Sequence, residues 1–185
     1  MTRSLRFKLV IFLASVGLGL ISVVGWFYFQ QSETKLYTNK TYGFRIRYPV
    51  DWEVHENMNG AAVIFVSPKD NELDVLQDSV NIVVQDYSKD PISLTDYSEK
   101  AEHQVRATFK AAIEILDSSP TTLAGLPAHR FALRSTGPDL NLQYLMVWTM
   151  KGYTAYQVTY TSLTSGYELY LPKVQRMIRS FRINN

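Results

Sequence analysis

The sequence predicts an α+β fold, a mainly antiparallel sheet with helices on both faces, preceded by one N-terminal transmembrane helix. Three observations predict it. Leu9 to Phe29 contains no charged residue. Segments of alternating apolar and polar residues lie on both sides of one long segment with a four-residue apolar period. The chain closes on a second amphipathic helical pattern. Strands, helix, strands and helix in that order are satisfied by a sheet covered on two sides.

At about 1.5 Å per residue, Leu9–Phe29 makes a helix of roughly 32 Å, long enough for a hydrocarbon core of roughly 30 Å. Arg3, Arg6 and Lys8 precede it and the next basic residue is Lys35, which places the N-terminus in the cytoplasm. Trp26 and Tyr28 suit the far headgroup interface. The division that follows is 1–8 as a cytoplasmic basic N-terminus, 9–29 as a transmembrane signal anchor, 30–36 as a short linker and 37–185 as an extracytoplasmic domain. That domain would face the periplasm, the cell exterior or a thylakoid lumen. Val23 and Gly25 form a small-x-small pattern, so cleavage as a signal peptide stands as the alternative to a retained anchor. Residues 30–36 extend at most about 25 Å, so the domain's partner is expected in, or close to, the membrane.

The chain has no cysteine, which excludes a lipoprotein anchor and disulfides. Its net charge is +2, from 19 basic and 17 acidic residues. With Arg3, Arg6 and Lys8 before the span, the remainder is close to neutral, so nucleic acid is not an expected partner.

In the domain, Phe44, Ile46 and Tyr48 alternate with Arg45 and Arg47, the pattern of a half-buried strand over Gly43–Tyr48 that Pro49 ends. Ala61–Val66 and Val80–Gln85 are apolar on both faces, as interior strands are. Between them, Ser67–Asp74 reads as an exposed loop. Tyr97, Ala101, Val105 and Phe109 predict a helix over Thr95–Ala112, capped by Ser93 or Thr95. Ala128–Ser135, Leu140–Met150 and Tyr153–Thr161 predict three more strands, the last two joined as a hairpin through Lys151-Gly152. Leu171, Val174, Met177, Ile178 and Phe181 form the stripe of the closing helix. Ser165 and Glu168 have capping-box spacing at its start, and Pro172 falls early in it.

Residues 37–52, from Tyr37 through Tyr42-Gly-Phe44 to Tyr48-Pro49 and Trp52, resemble the opening signature of PsbP-like domains. Phe65-Val-Ser-Pro68, Val80-Asn-Ile-Val-Val-Gln-Asp86, the helix entry Leu94–Tyr97, Leu123-Ala-Gly-Leu-Pro-Ala-His-Arg130 and Ser180-Phe181 follow in the family's order. The resemblance covers essentially the whole external domain. It implies an α/β/α sandwich and a noncatalytic role beside a membrane protein complex. The family's best-known members serve photosystem II, supporting calcium and chloride retention at the oxygen-evolving centre or helping its assembly, while many bacterial and archaeal relatives have no assigned role. The chain lacks the long flexible N-terminal segment of the plant subunit and the anchoring cysteine of cyanobacterial lipoproteins.

Motifs for catalysis are missing: no Gly-x-Ser-x-Gly elbow, phosphate-binding glycine loop or His-Glu-x-x-His helix occurs. His55, His103 and His129 are far apart in sequence and read as isolated histidines. The acidic run Asp70, Glu72 and Asp74, with Asp78 nearby, offers alternating carboxylates to a hard cation, so calcium is the one cofactor considered; a merely solvated loop is the simpler reading. Arg45 and Arg47, Arg130 and Arg134, and Lys173, Arg176 and Arg179 on the closing helix are the candidate partner-binding residues. The two strand pairs would share a patch if their strands were neighbours. Tyr144 and Trp148 read as core, and Trp52 as a structural plug.

The expected function is therefore a membrane-anchored, noncatalytic domain that binds a membrane protein complex and assists its assembly or stability. The alternatives are an extracytoplasmic small-ligand or calcium-binding domain, or an unrecognised enzyme.

Overall fold

Alternation of side chains across strands builds most of the chain beyond residue 33. The computed structural model describes residues 33–69, 76–109, 112–136 and 141–184, and Thr34–Asn185 forms one compact unit. The expected span at 9–29 lies outside the described residues; among those, no helix is long and apolar enough to cross a membrane.

Strands β1 (Thr34–Asn39), β2 (Phe44–Pro49), β3 (Glu53–Met58), β4 (Ala61–Val66) and β5 (Ser79–Asp86) lead to helix α1 (Leu94–Phe109). Strands β6 (Ile113–Leu123), β7 (Leu126–Thr136), β8 (Asn141–Lys151) and β9 (Thr154–Leu163) follow, then helix α2 (Tyr167–Ser180) and the short β10 (Arg182–Ile183). Among the described residues there are two sheets instead of one. A seven-stranded sheet has the order β3-β4-β5-β9-β8-β7-β6, and a three-stranded sheet the order β1-β2-β10. Every pairing is antiparallel.

The large sheet is buried on both faces. On one, Phe65, Val158 and Tyr160 meet Phe44 and Ile46 of the small sheet and Val174, Met177 and Phe181 of the closing helix region. On the other, Phe131, Leu133, Met146 and Trp148 meet Tyr97 of α1. The result is three layers: small sheet with α2, large sheet, and α1. Tyr144 and Trp148 belong to the α1 side, with Trp148 fully buried, and Trp52 closes the other core edge-on against Tyr170.

Three strands differ from the sequence reading. β1 begins at Thr34, so the residues 34–36 expected as linker are strand. β3 was hidden by its polar composition, Glu-Val-His-Glu-Asn-Met. β6 carries Pro120, which is tolerated because β6 is an edge strand and has no further neighbour to receive an N–H. The turn between β8 and β9 is Gly152-Tyr153, one residue later than expected, because Lys151 pairs with Thr154. Gly152 takes the positive φ of 59° that this turn needs.

Helix ends also divide. Ser93 Oγ accepts the Asp96 N–H at 3.1 Å while Asp96 Oδ2 accepts the Ser93 N–H at 3.2 Å, a reciprocal cap that starts α1. The Ser93 hydroxyl and amide hold the Asp96 carboxyl below its ordinary range. The capping box expected at Ser165 and Glu168 is absent: Gly166 is the N-cap of α2 and makes no side-chain cap.

Under α2 lies a buried polar network. The Tyr160 hydroxyl donates to Asp78 Oδ1 at 2.6 Å and lies 3.0 Å from the Tyr167 carbonyl oxygen. Ser67 Oγ accepts the Asp78 N–H at 3.0 Å, and the Ser67 N–H donates to the Asp78 carbonyl at 2.8 Å. Burial, and then the bond to Asp78, push the Tyr160 phenol well above its ordinary value of 10. Burial likewise raises Tyr97 and Tyr167. A raised folded-state value means stability that is complete below pH 10 and is lost as pH climbs through the folded values. Urea unfolding measured from neutral to strongly alkaline pH should show a plateau and then a fall. Tyr160→Phe should lower stability at neutral pH by about 2 kcal/mol, since a buried acceptor loses its donor, and should flatten the alkaline fall. An unchanged alkaline slope would contradict the assignment to Tyr160.

Candidate binding site beneath helix α1 and the arginine faces

Helix α1 buries Tyr97 and Ser98, packs Leu94, Ala101 and Val105 partly buried against the same core, and adds specific polar contacts to the sheet. Trp148 Nε1 donates to Ser98 Oγ at 2.8 Å, and Ser98 Oγ donates to the Leu94 carbonyl at 2.7 Å. The Tyr97 hydroxyl reaches Gln85 and Gln157 Oε1, each at 3.2 Å. Next to this anchor, a cavity of about 640 Å³ opens between α1 and strands β6 and β7. Leu94, Pro120, Pro127 and Ala128 give it apolar walls, while Glu99, Glu102, His103, Arg106 and His129 supply charge and hydrogen bonding.

Three of the polar groups around this site converge. His129 Nε2 lies 3.0 Å from Ser118 Oγ and 3.2 Å from Glu102 Oε1, and Ser118 Oγ donates to the same Glu102 oxygen at 2.8 Å. The imidazole stacks on the Trp148 indole with centroids 5.2 Å apart and planes 19° apart. His129 is thus no isolated histidine, and its spacing from Glu102 and Ser118 gave no signal because three separate elements supply the three groups.

The composition is that of a serine–histidine–carboxylate relay, but the geometry is not. A relay needs the serine on one ring nitrogen and the carboxylate on the other, so that the first can take the serine proton. Here both partners crowd Nε2, and the serine proton is directed to Glu102. The arrangement instead ties α1, through Glu102, to β6 and β7. Arg106 adds an i,i+4 contact to Glu102 at 3.8 Å.

The arginines fall into two groups. Arg45 and Arg47 project outward from β2 of the small sheet, whereas Arg130 and Arg134 stand on β7 of the large sheet, so the two pairs do not come from neighbouring strands. Arg130 pairs with Asp117 at 3.2 Å and Arg134 with Glu114 at 3.1 Å. On α2, Lys173 lies 3.8 Å from Asp51 and 4.8 Å from the centre of the Tyr170 ring. Arg176 and Arg179 are exposed on the same helix.

Asp70, Glu72 and Asp74 lie outside the described residues. Asp78 is turned inward, 7% exposed and bonded to Tyr160, so it does not extend an acidic surface. Among the described residues no group of three or more His, Asp or Glu side chains converges to hold a metal ion.

If the His129 cluster is a clamp, His129→Ala should speed amide hydrogen exchange along α1 and cost about 1–2 kcal/mol of stability, through the lost stacking and hydrogen bonds. Ser118→Ala should have the smaller effect, because Glu102 keeps its contact with His129. Exchange in α1 that is indifferent to His129→Ala would overturn the clamp.

Against known proteins, a family model described as PsbP matches residues 32–183. No curated protein matches the chain. Among solved structures, cyanobacterial PsbP (CyanoP) from Synechocystis aligns with a TM-score of 0.62 at 13% identity, covering 82% of this chain and 93% of that one. LpqN of Mycobacterium tuberculosis, described as involved in cell envelope biogenesis, aligns at 0.59 and 11% identity, covering 84% and 87%. The Ran-binding protein Mog1p of Saccharomyces cerevisiae aligns at 0.57 and 11% identity, covering 83% and 96%. At such identities the structural likeness establishes a shared fold. Taken with the family match over residues 32–183, it identifies this chain as a member of the PsbP family.

Proposed function

We propose that this chain is a noncatalytic, membrane-tethered PsbP-family domain that binds a neighbouring membrane protein complex and supports its assembly or stability. In a photosynthetic host that complex is photosystem II. The observation that carries the noncatalytic part is the geometry at His129. The one cluster of serine, histidine and carboxylate found in the described residues shares a single ring nitrogen and serves as a clamp. The tether, and with it an extracytoplasmic domain, is supported by the uncharged Leu9–Phe29 segment with its basic flank.

A second reading has its own support. The cavity of about 640 Å³ beneath α1 is within the range of small-molecule sites and has apolar walls with a charged rim. A ligand-binding role would use that cavity without covalent chemistry. Calcium binding by Asp70, Glu72 and Asp74 is a further proposal, tested by removing the three carboxylates together and measuring calcium affinity.

Crosslinking in intact native membranes, followed by capture of this protein and mass spectrometry of its neighbours, separates the first two readings. Binding to a complex predicts the same membrane-protein subunits in replicate captures, and photosystem II subunits where the host is photosynthetic. Absence of any reproducible protein neighbour, together with a small molecule retained by the purified chain, would favour the cavity.

A further inference from the structure

We infer that the outward face of the three-stranded sheet rests on anionic lipid headgroups, and so fixes the orientation of the domain on the bilayer. This rests on the transmembrane reading of residues 9–29.

The register defines the face. Leu36 pairs with Arg47, Thr38 with Arg45, and Arg182 with Arg45. All these side chains, with Thr34, therefore share one side of the sheet, opposite Phe44, Ile46 and Ile183, which pack into the core. Leu36 is 52% exposed. Ser180 Oγ accepts the Arg47 N–H at 2.8 Å, which sets the end of α2 beside β2 and brings exposed Arg176 and Arg179 into the same layer. Arg182 is turned partly back, donating to the Arg179 and Phe181 carbonyls at 2.8 and 2.7 Å.

Two features single this layer out. First, Arg106, Arg130, Arg134 and Lys173 each have a carboxylate partner. Among the described residues, Arg45, Arg47, Arg176, Arg179 and Arg182 form no such ion pair. Arg45 and Arg182 even stand directly opposite each other, an arrangement that like charge disfavours unless an external anion compensates. Of the nearby acids, Asp51 is taken up by Lys173, and Glu33 precedes β1. Second, β1 begins at Thr34, so only residues 30–33 separate its first residue from the end of the apolar segment, at most about 14 Å of chain. That is too short to lift β1 clear of the headgroup region. Cations at an anionic surface each favour docking by about fivefold, and an exposed leucine among them suits the boundary between headgroups and acyl chains.

The test uses the full chain, which has no native cysteine. A spin label is placed at Thr38→Cys on the outward face, or at Glu99→Cys on α1 in the opposite layer. The protein is incorporated into nanodiscs of phosphatidylcholine with or without phosphatidylglycerol, and broadening by a nickel-chelating headgroup lipid is read for each label. Docking predicts broadening at Thr38→Cys and little at Glu99→Cys in the anionic discs, lost in phosphatidylcholine alone or at high salt. Arg45→Gln with Arg47→Gln should lower the ratio of docked to undocked protein by roughly 25-fold, with an unchanged thermal melt as the control for folding. Equal broadening at both labels, or broadening indifferent to lipid charge, overturns the inference while leaving the anchor intact. Thr38→Cys that becomes shielded only when a purified membrane complex is added overturns it in favour of a protein occupant. A chain that fails to enter the discs at all overturns the anchor.

Discussion

Everything in this domain depends on β8 and β9 being buried on both sides. Their side chains alternate between two cores. Leu145, Val147, Val158 and Tyr160 enter the one beneath α2 and the small sheet, and Met146, Trp148 and Ala155 enter the one beneath α1. A slip of one residue in β9 would send Gln157 and Thr159 into the larger core and eject Val158 and Tyr160. Each large side chain so displaced contributes about 1.5–3 kcal/mol through burial. The Gly152 turn sets the register, and both outer layers take their position from it.

Those layers are fixed to different degrees. Helix α2 buries Tyr167, Tyr170, Val174 and Met177, and it is stitched to β2 through Ser180 and Arg47. Helix α1 buries only Tyr97 and Ser98 and relies on Trp148, Gln85, Gln157 and His129 for polar attachment. The layer with unpaired arginines is thus the more deeply packed one, and the α1 side is the one that carries the cavity.

Much of the fold was legible because its strongest signals are local. Alternation at Phe44–Tyr48, apolar runs at Ala61–Val66 and Val80–Gln85, and the four-residue period from Tyr97 to Phe109 each report burial directly. β1, β3 and β6 were not legible, since all three are edge strands, which bury little and so need no apolar alternation. The missed signal was the Asn59-Gly60 pair at the β3–β4 turn, whose φ values of 52° and 78° are those that Asn-Gly favours in a two-residue hairpin. The candidate site was harder to see. Glu102, Ser118 and His129 meet only because α1 crosses β6 and β7, a tertiary fact with no trace in sequence spacing. The arginines were individually visible, but which ones carry an acidic partner was decided by register: Arg130 and Arg134 stand beside Asp117 and Glu114 on the adjoining strand, while β2 has no acidic neighbour on its outward face.

The account turns on a domain held at a membrane by its own N-terminal segment. Native membranes washed with urea at high salt, then treated with protease from one side at a time, test this most directly. The account predicts that the intact chain stays with the membranes through the wash, and that the folded domain is reached only from the extracytoplasmic side. Release of the chain by the wash, or digestion of the domain from the cytoplasmic side, would contradict it.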